Sequence, residues 1–226
     1  MNTFLETYFP NAYDIQDEII KSIWETLYMV SVTALLAGIF GILLGITLVV
    51  TEEGGILEKP RLYHFLERMV NIFRSVPFII MLALIAPITR LLVGTSIGTT
   101  AAIVPLVVGT VPFYSKQIQN ALLEVDEGVV EAAAAMGSSP LEIIFRVYLK
   151  EGLPSILRVS SVTIINLIGL TTMAGAIGGG GLGNLAIARG HNRNQMDVTL
   201  VATGVILVIV FVSQFVGNYL VKKTSH

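Results

Sequence analysis

Runs free of charged residues alternate with short polar stretches along this chain, and several runs are long enough to be helices that cross a membrane. Residues 26–51, between Glu25 and Glu52, carry no charge. A hydrocarbon core of ~30 Å takes about 20 helical residues at ~1.5 Å each, so this run suffices. Ala37, Gly41 and Gly45 recur in it every four residues, a stripe that lets a second helix approach closely. The next run is shorter. Arg74 and Arg90 enclose only residues 75–89, so the pattern predicts a helix that starts near Leu66 and carries Arg74 inward. An intramembrane arginine costs ~2.5–3.5 kcal/mol on insertion scales. Arg74 therefore either faces a protein interior or wet cavity, or snorkels to the cytoplasmic rim. Pro77 removes a backbone donor and bends this helix. A third span begins at about residue 99, after a turn at Thr95-Ser96-Ile97-Gly98. A fourth charge-free interval covers residues 159–188 and a fifth span residues 198–221. The expectation is one all-α integral membrane domain over residues 1–226, with spans at about 22–50, 66–89, 99–118, 155–177 and 198–221.

Between the third and fourth spans lies a polar-flanked loop, residues 121–154, that predicts two short helices with a break. Residues 127–136 are rich in strong helix formers, including four consecutive alanines. Gly137 stands where a helix C-terminus favours positive φ. Ser139-Pro140-Leu141-Glu142 then reads as a new start, with Ser at the N-cap, Pro at N1 and Glu closing a capping box. Leu141, Ile144, Phe145 and Tyr148 give the second helix one apolar face.

Composition and charge narrow the function. The chain is 54% hydrophobic and 13% charged, against ~25% charged in soluble domains. A net charge of −2 leaves no basic stripe for nucleic acid. The absence of cysteine excludes disulfides, thiolate metal sites and a cysteine nucleophile, and the three histidines are too scattered to suggest a metal site. No cleavable signal peptide is evident. Gly178-Gly179-Gly180-Gly181-Leu182-Gly183 matches a dinucleotide fingerprint literally, but a membrane helix precedes it rather than a strand. No Walker A sequence is present, so the chain is expected not to hydrolyse ATP. Neither a nucleophile elbow nor paired intramembrane carboxylates support a hydrolase. An ion-coupled carrier lacks an acidic residue mid-span and matched inverted halves. Lys59, Arg61, Arg68, Arg74, Lys116, Arg146, Lys150, Arg158, Lys222 and Lys223 fall on one side of the five spans, and Lys21, Arg90, Arg189 and Arg193 on the other. This bias predicts a cytoplasmic C-terminus and loop, with the acidic N-terminus outside.

The order Glu131-Ala132-Ala133, Gly137, then Val147-x-Leu149 between two spans resembles the EAA loop of binding-protein-dependent ABC importer permeases. Lys150 stands where that family has proline, and Leu153-Pro154 follows. Asn71-Ile72-Phe73-Arg74-Ser75-Val76-Pro77-Phe78 resembles the R-x-x-P segment of amino-acid permeases of this kind, most closely those of methionine importers. The same likeness extends over residues 93–98, 101–108, 120–124 and the glycine-rich 174–183. The resemblance implies a type I ABC importer permease fold, working as a homodimer in the prokaryotic cell membrane. It implies two ABC ATPase subunits holding ATP and Mg, and an extracytoplasmic methionine-binding lipoprotein. The permease itself would be no enzyme, carry no cofactor, and pass methionine, D or L, inward by alternating access. The alternatives are a permease for another small amino acid or related nutrient, or an ion-coupled secondary transporter. By the resemblance Glu131, Ala132, Ala133, Met136, Gly137 and Ser138 couple to the ATPase. Arg74, Pro77, Met173 and Gly175 are candidates for the translocation pathway or its gate; for Met173 ordinary packing is the other reading.

Overall fold

The computed structural model describes residues 6–224, and the described residues form helices and turns without a strand. Helix α1 (Gln16–Thr51) has 36 residues, ~54 Å at ~1.5 Å per residue, more than a bilayer core requires. A tight turn ends it, with Leu57 N–H donating to Val50 O at 2.8 Å and Lys59 N–H to Thr51 O at 3.0 Å. Pro60 opens α2 (Pro60–Ser75), and α3 (Phe78–Val93) follows. The single helix expected over residues 66–89 is thus two helices of 16 residues each. Val76 (ψ 121°) and Pro77 (ψ 134°) are extended between them. A residue before proline avoids the helical region, and proline itself has no N–H, so the pair does more than bend the helix. Helix α4 (Thr99–Leu123) is followed by α5 (Glu127–Ala135) and a helical stretch over residues 140–151. Then come α6 (Leu153–Ala174), a broken segment over residues 175–193, and α7 (Met196–Thr224). Among the described residues four helices, α1, α4, α6 and α7, are long and apolar enough to cross a membrane, or five spans if α2 and α3 count as one broken span.

The helices contribute to two compact units. One comprises residues 6–35, 77–108 and 164–213. Its core gathers Ala12, Ile15, Leu182, Leu185, Ala186, Val198 and Ala202. Asp197, at the start of α7, accepts from Asn11 Nδ2 and from Ala12 N–H, both at 3.1 Å, and so pins the segment before α1.

The other unit comprises residues 36–76, 109–163 and 214–224. Here the small-residue stripe of α1 does what its spacing predicts. A Cβ on Gly41 would lie 2.6 Å from Tyr114 Cδ1, and one on Gly45 2.6 Å from Ile118 Cγ2, so α1 and α4 touch backbone to side chain. Polar side chains tie the same unit together. Lys116 Nζ of α4 and Tyr63 Oη of α2 both donate to Glu67 Oε1 at 3.2 Å. Tyr114 Oη and Ser160 Oγ are 2.6 Å apart.

Candidate functional site

The loop between α4 and α6 is built almost entirely by local capping. Asp126 caps α5, its carboxylate accepting from Gly128 N–H at 2.7 Å. The helix stops in a Schellman arrangement: Ser138 N–H donates to Ala133 O at 3.1 Å and Gly137 N–H to Ala134 O at 3.0 Å. Gly137 holds φ +83° with open space where a Cβ would be. Ser139 then begins the next helix with the expected capping box. Glu142 N–H reaches Ser139 Oγ at 3.4 Å, and Glu142 Oε2 accepts from Ser139 N–H at 2.9 Å. Those bonds from Ser139, the backbone N–H first, hold the Glu142 carboxyl below the ordinary glutamate range. The second helix is less regular. Leu149 N–H bonds Ile144 O, so residues Ile144–Tyr148 form a π-helical turn. The single apolar face expected of Leu141, Ile144, Phe145 and Tyr148 splits: Ile144 and Tyr148 are buried, whereas Leu141 and Phe145 are each 66% exposed. At Lys150, where the resembling family has proline, the backbone stays helical, and Gly152 and Pro154 lead into α6.

The predicted coupling residues do not all face one way. Glu131, Ala132, Met136 and Gly137 are exposed, Met136 to 80%, and Ser138 is half-buried. Ala133 faces inward with Val130, into the core formed by Ile118, Leu122, Ile143, Val147 and Tyr148. In this structure its side chain seats α5 against that core rather than lying on the outward face. What remains outward is Ala132, Ala134, Ala135 and Met136, joined by Val129, Leu141 and Phe145.

Beside α5 lies a groove of about 430 Å³, walled by Val49, Ile56, Leu122 and Val130 and carrying Glu52, Glu53, Glu127 and Glu131. Burial pushes the Glu52 carboxyl above the ordinary range, and the hydrogen bond from Gln119 Nε2 at 3.2 Å draws it partly back. Sequence reading missed this groove, because the turn at residues 52–55 and the Glu127/Glu131 pair are remote in the chain. The i, i+4 spacing of the pair was its only local sign.

The candidate pathway residues divide between the units. Arg74 is exposed in the last turn of α2. Pro77 is the N-cap residue of α3; Met173, 40% exposed, and buried Gly175 lie where α6 breaks. The break is supported from α1. Glu25 Oε2 accepts from Gly181 N–H at 2.7 Å and Thr26 Oγ1 from Leu182 N–H at 2.9 Å. Two side chains of α1 thus satisfy amide donors that open the next helical turn. Gly181 sits at φ +70° with Thr26 Oγ1 only 2.6 Å from where its Cβ would be, so no other residue fits. A second cavity, about 620 Å³, is lined by Ala83, Ala86, Pro87, Arg90, Leu91 and Ser96. Arg90 is its one charged residue; it forms no ion pair or side-chain hydrogen bond with any described residue. Among the described residues no group of acidic, histidine or cysteine side chains is placed to hold a metal.

Comparison with known proteins gives a consistent answer. The family described as binding-protein-dependent transport system inner membrane component matches residues 41–226. The chain is 46% identical over 212 residues to the probable D-methionine transport system permease protein MetI of Vibrio cholerae, covering 93% of each. It is 45% identical to the methionine import system permease protein MetP of Bacillus subtilis, covering 94% of this chain and 95% of that one. Among solved structures, a chain of the MetNI methionine ABC transporter in an inward-facing conformation superposes with a TM-score of 0.90 at 40% identity, covering 92% of this chain and 96% of that one.

Proposed function

The chain belongs to the family of binding-protein-dependent transport system inner membrane components, and from that membership we propose that it is the membrane-spanning permease of an ATP-driven importer of methionine. The observation that carries the substrate is likeness over nearly the whole chain to permeases whose names specify methionine, in Vibrio cholerae and in Bacillus subtilis alike. Two copies of the chain form the conduit, and two ATPase subunits, holding ATP and Mg, drive it from the cytoplasmic side. An extracytoplasmic lipoprotein delivers methionine, in D or L form, and ATP binding switches the opening of the pathway from one side to the other. The basic loops face the cytoplasm and the N-terminus lies outside. Glu131, Ala132, Met136, Gly137 and Ser138 form the knob that meets the ATPase, with Ala133 anchoring it from behind. Arg74, Pro77, Met173 and Gly175 belong to the pathway or its gate.

The chemistry of the loop fits this role. The outward alanines of α5 permit close approach to a partner, and Met136, Leu141 and Phe145 beside them offer it apolar contact. The Schellman stop and capping box fix the angle between the two short helices, so a push on one is passed to the other. Uptake of labelled methionine tests the reading, in cells lacking other methionine importers and supplied with this permease, its ATPase and its binding protein. Saturable uptake competed by unlabelled methionine and not by other amino acids is expected. Uptake of a different amino acid with methionine inert would overturn the substrate assignment.

A further inference from the structure

We propose that α2 is an interfacial helix, lying in the membrane–water boundary with its apolar side in lipid, rather than the first part of a spanning helix. At ~3.6 residues per turn its side chains fall into three sectors. Tyr63, Glu67 and Val70 face the protein: Val70 is buried, and Glu67 takes hydrogen bonds from Tyr63 and from Lys116 of α4. Leu62, Phe65, Leu66, Met69, Ile72 and Phe73 form the second sector. Apart from half-buried Leu66 all are exposed, Phe65 to 61% and Ile72 to 55%. The third sector is Arg61, His64, Arg68, Asn71 and Ser75, polar and exposed throughout.

The occupant of the apolar sector follows from what flanks it. An apolar strip beside a basic strip, on a helix of low overall hydrophobicity, matches a lipid acyl boundary next to headgroup phosphates. Arg61 and Arg68 supply the positive charge of that strip, with Lys59 just before the helix; Arg74, exposed in the last turn, is in phase with Tyr63, Glu67 and Val70 instead, and the helix's single acidic residue, Glu67, is already engaged by Lys116. A spanning α2 would instead bring Arg61, His64, Arg68 and Asn71 toward the hydrocarbon on one side, where ionisable groups are costly. The extended Val76-Pro77 pair ends α2 before the charge-free run of α3 begins. The crossing then belongs to α3 alone. Its 16 residues give ~24 Å, a shortfall that local bilayer thinning accommodates. Under this inference Arg74, in the last turn of α2, lies at the level of the headgroups, so its part in the pathway is at the cytoplasmic mouth and not mid-membrane.

The chain contains no cysteine, so single cysteines report without background. Spin labels at Leu62, Phe65, Met69 and Phe73, and at Arg61, His64 and Arg68, would be placed in the permease within its complete ATPase complex. The complex is held in nanodiscs of phosphatidylcholine and phosphatidylglycerol, and accessibility to oxygen and to a nickel chelate is measured. The four apolar positions are expected to be oxygen-accessible at one shallow depth, their nickel-to-oxygen ratios agreeing within roughly twofold, and the three polar positions nickel-accessible. A spanning helix would instead show depth increasing by about 1.5 Å per residue from 62 to 73, and that gradient would overturn the proposal. Exclusion of both reagents from the apolar positions would overturn it in favour of cover by a second copy of the chain. Neither result depends on which amino acid is carried.

Discussion

Replacing Gly137 isolates the contribution of backbone conformation to coupling, because nothing else at the position changes. The residue sits at φ +83°, and an added Cβ meets no atom within 4 Å. A side chain there has room, so its whole cost is conformational. An L-residue held left-handed loses ~1–2 kcal/mol, and a β-branched one lies at the upper end or beyond. Asparagine visits the same region with less penalty. The elbow can escape the strain only by opening the Schellman turn, which releases the bonds to Ala133 O and Ala134 O and swings the capped helix at Ser139. If ~2 kcal/mol is set against the docked geometry, the competent fraction and the apparent ATPase affinity fall by as much as ~30-fold. The assay is retention of the ATPase on purified permease, read with ATP-driven uptake in proteoliposomes. Gly137→Val should lose most of both, and Gly137→Asn should fall between it and wild type. Equal loss in the two variants would show that side-chain bulk, not φ, is what the site rejects. Wild-type behaviour of the valine variant would refute the coupling role of the turn.

Three further outcomes are expected. Ala133→Trp should lower the melting temperature of the permease, since overpacking a core costs ~1–3 kcal/mol, whereas Ala132→Trp should leave it unchanged and weaken ATPase retention; thermal unfolding and pull-down separate the two. Because the folded Glu142 carboxyl is held below its ordinary value, its stabilisation of the second loop helix is complete above that ordinary value and is lost as pH falls through the lower folded one; amide protection from exchange at residues 142–143, taken as the ratio of wild type to Glu142→Gln at each pH, should fall towards unity on acidification, and a flat ratio would contradict it. Arg90→Gln is expected to leave thermal stability unchanged, because the guanidinium has no partner among the described residues, and to reduce uptake roughly tenfold if the cavity it lines takes part in transport; unchanged uptake kinetics would exclude that part.

The features legible in the sequence are those written within a few residues. Gly137, Ser139, Pro140 and Glu142 announce a stop and a start through hydrogen bonds no longer than one turn, and the structure makes those bonds. Ala37, Gly41 and Gly45 announce a close approach because only a missing side chain permits one. The inward turn of Ala133 is of another kind. Its phase relative to Ala132 and Ala134 is set by Leu122 and Ile143, which four identical alanines cannot signal. The π-helical turn at Ile144–Tyr148 likewise shifts a face that regular periodicity draws as continuous. Glu25 and Thr26 meet Gly181 and Leu182 across 156 positions, so nothing local marks them as caps for one another.

The break at Val76-Pro77 is the instructive case, because its signal was present and outweighed. Counting charge-free residues between Arg74 and Arg90 gives too short a span, and extending it backwards to Leu66 repairs the length. The amphipathic phase of Leu62, Phe65, Leu66, Met69, Ile72 and Phe73 argues against that repair, since a spanning helix gains nothing from a basic strip along one side. Proline decides locally between the two. Val76 avoids helical ψ before it, and Pro77 has no N–H to offer the carbonyl of Phe73, so continuing the helix forfeits a bond and meets a clash, ~3 kcal/mol or more. A short helix that ends cleanly and hides its apolar strip at a boundary avoids that cost. Arg74 then lies before the crossing, and Arg90 lies in its last turn.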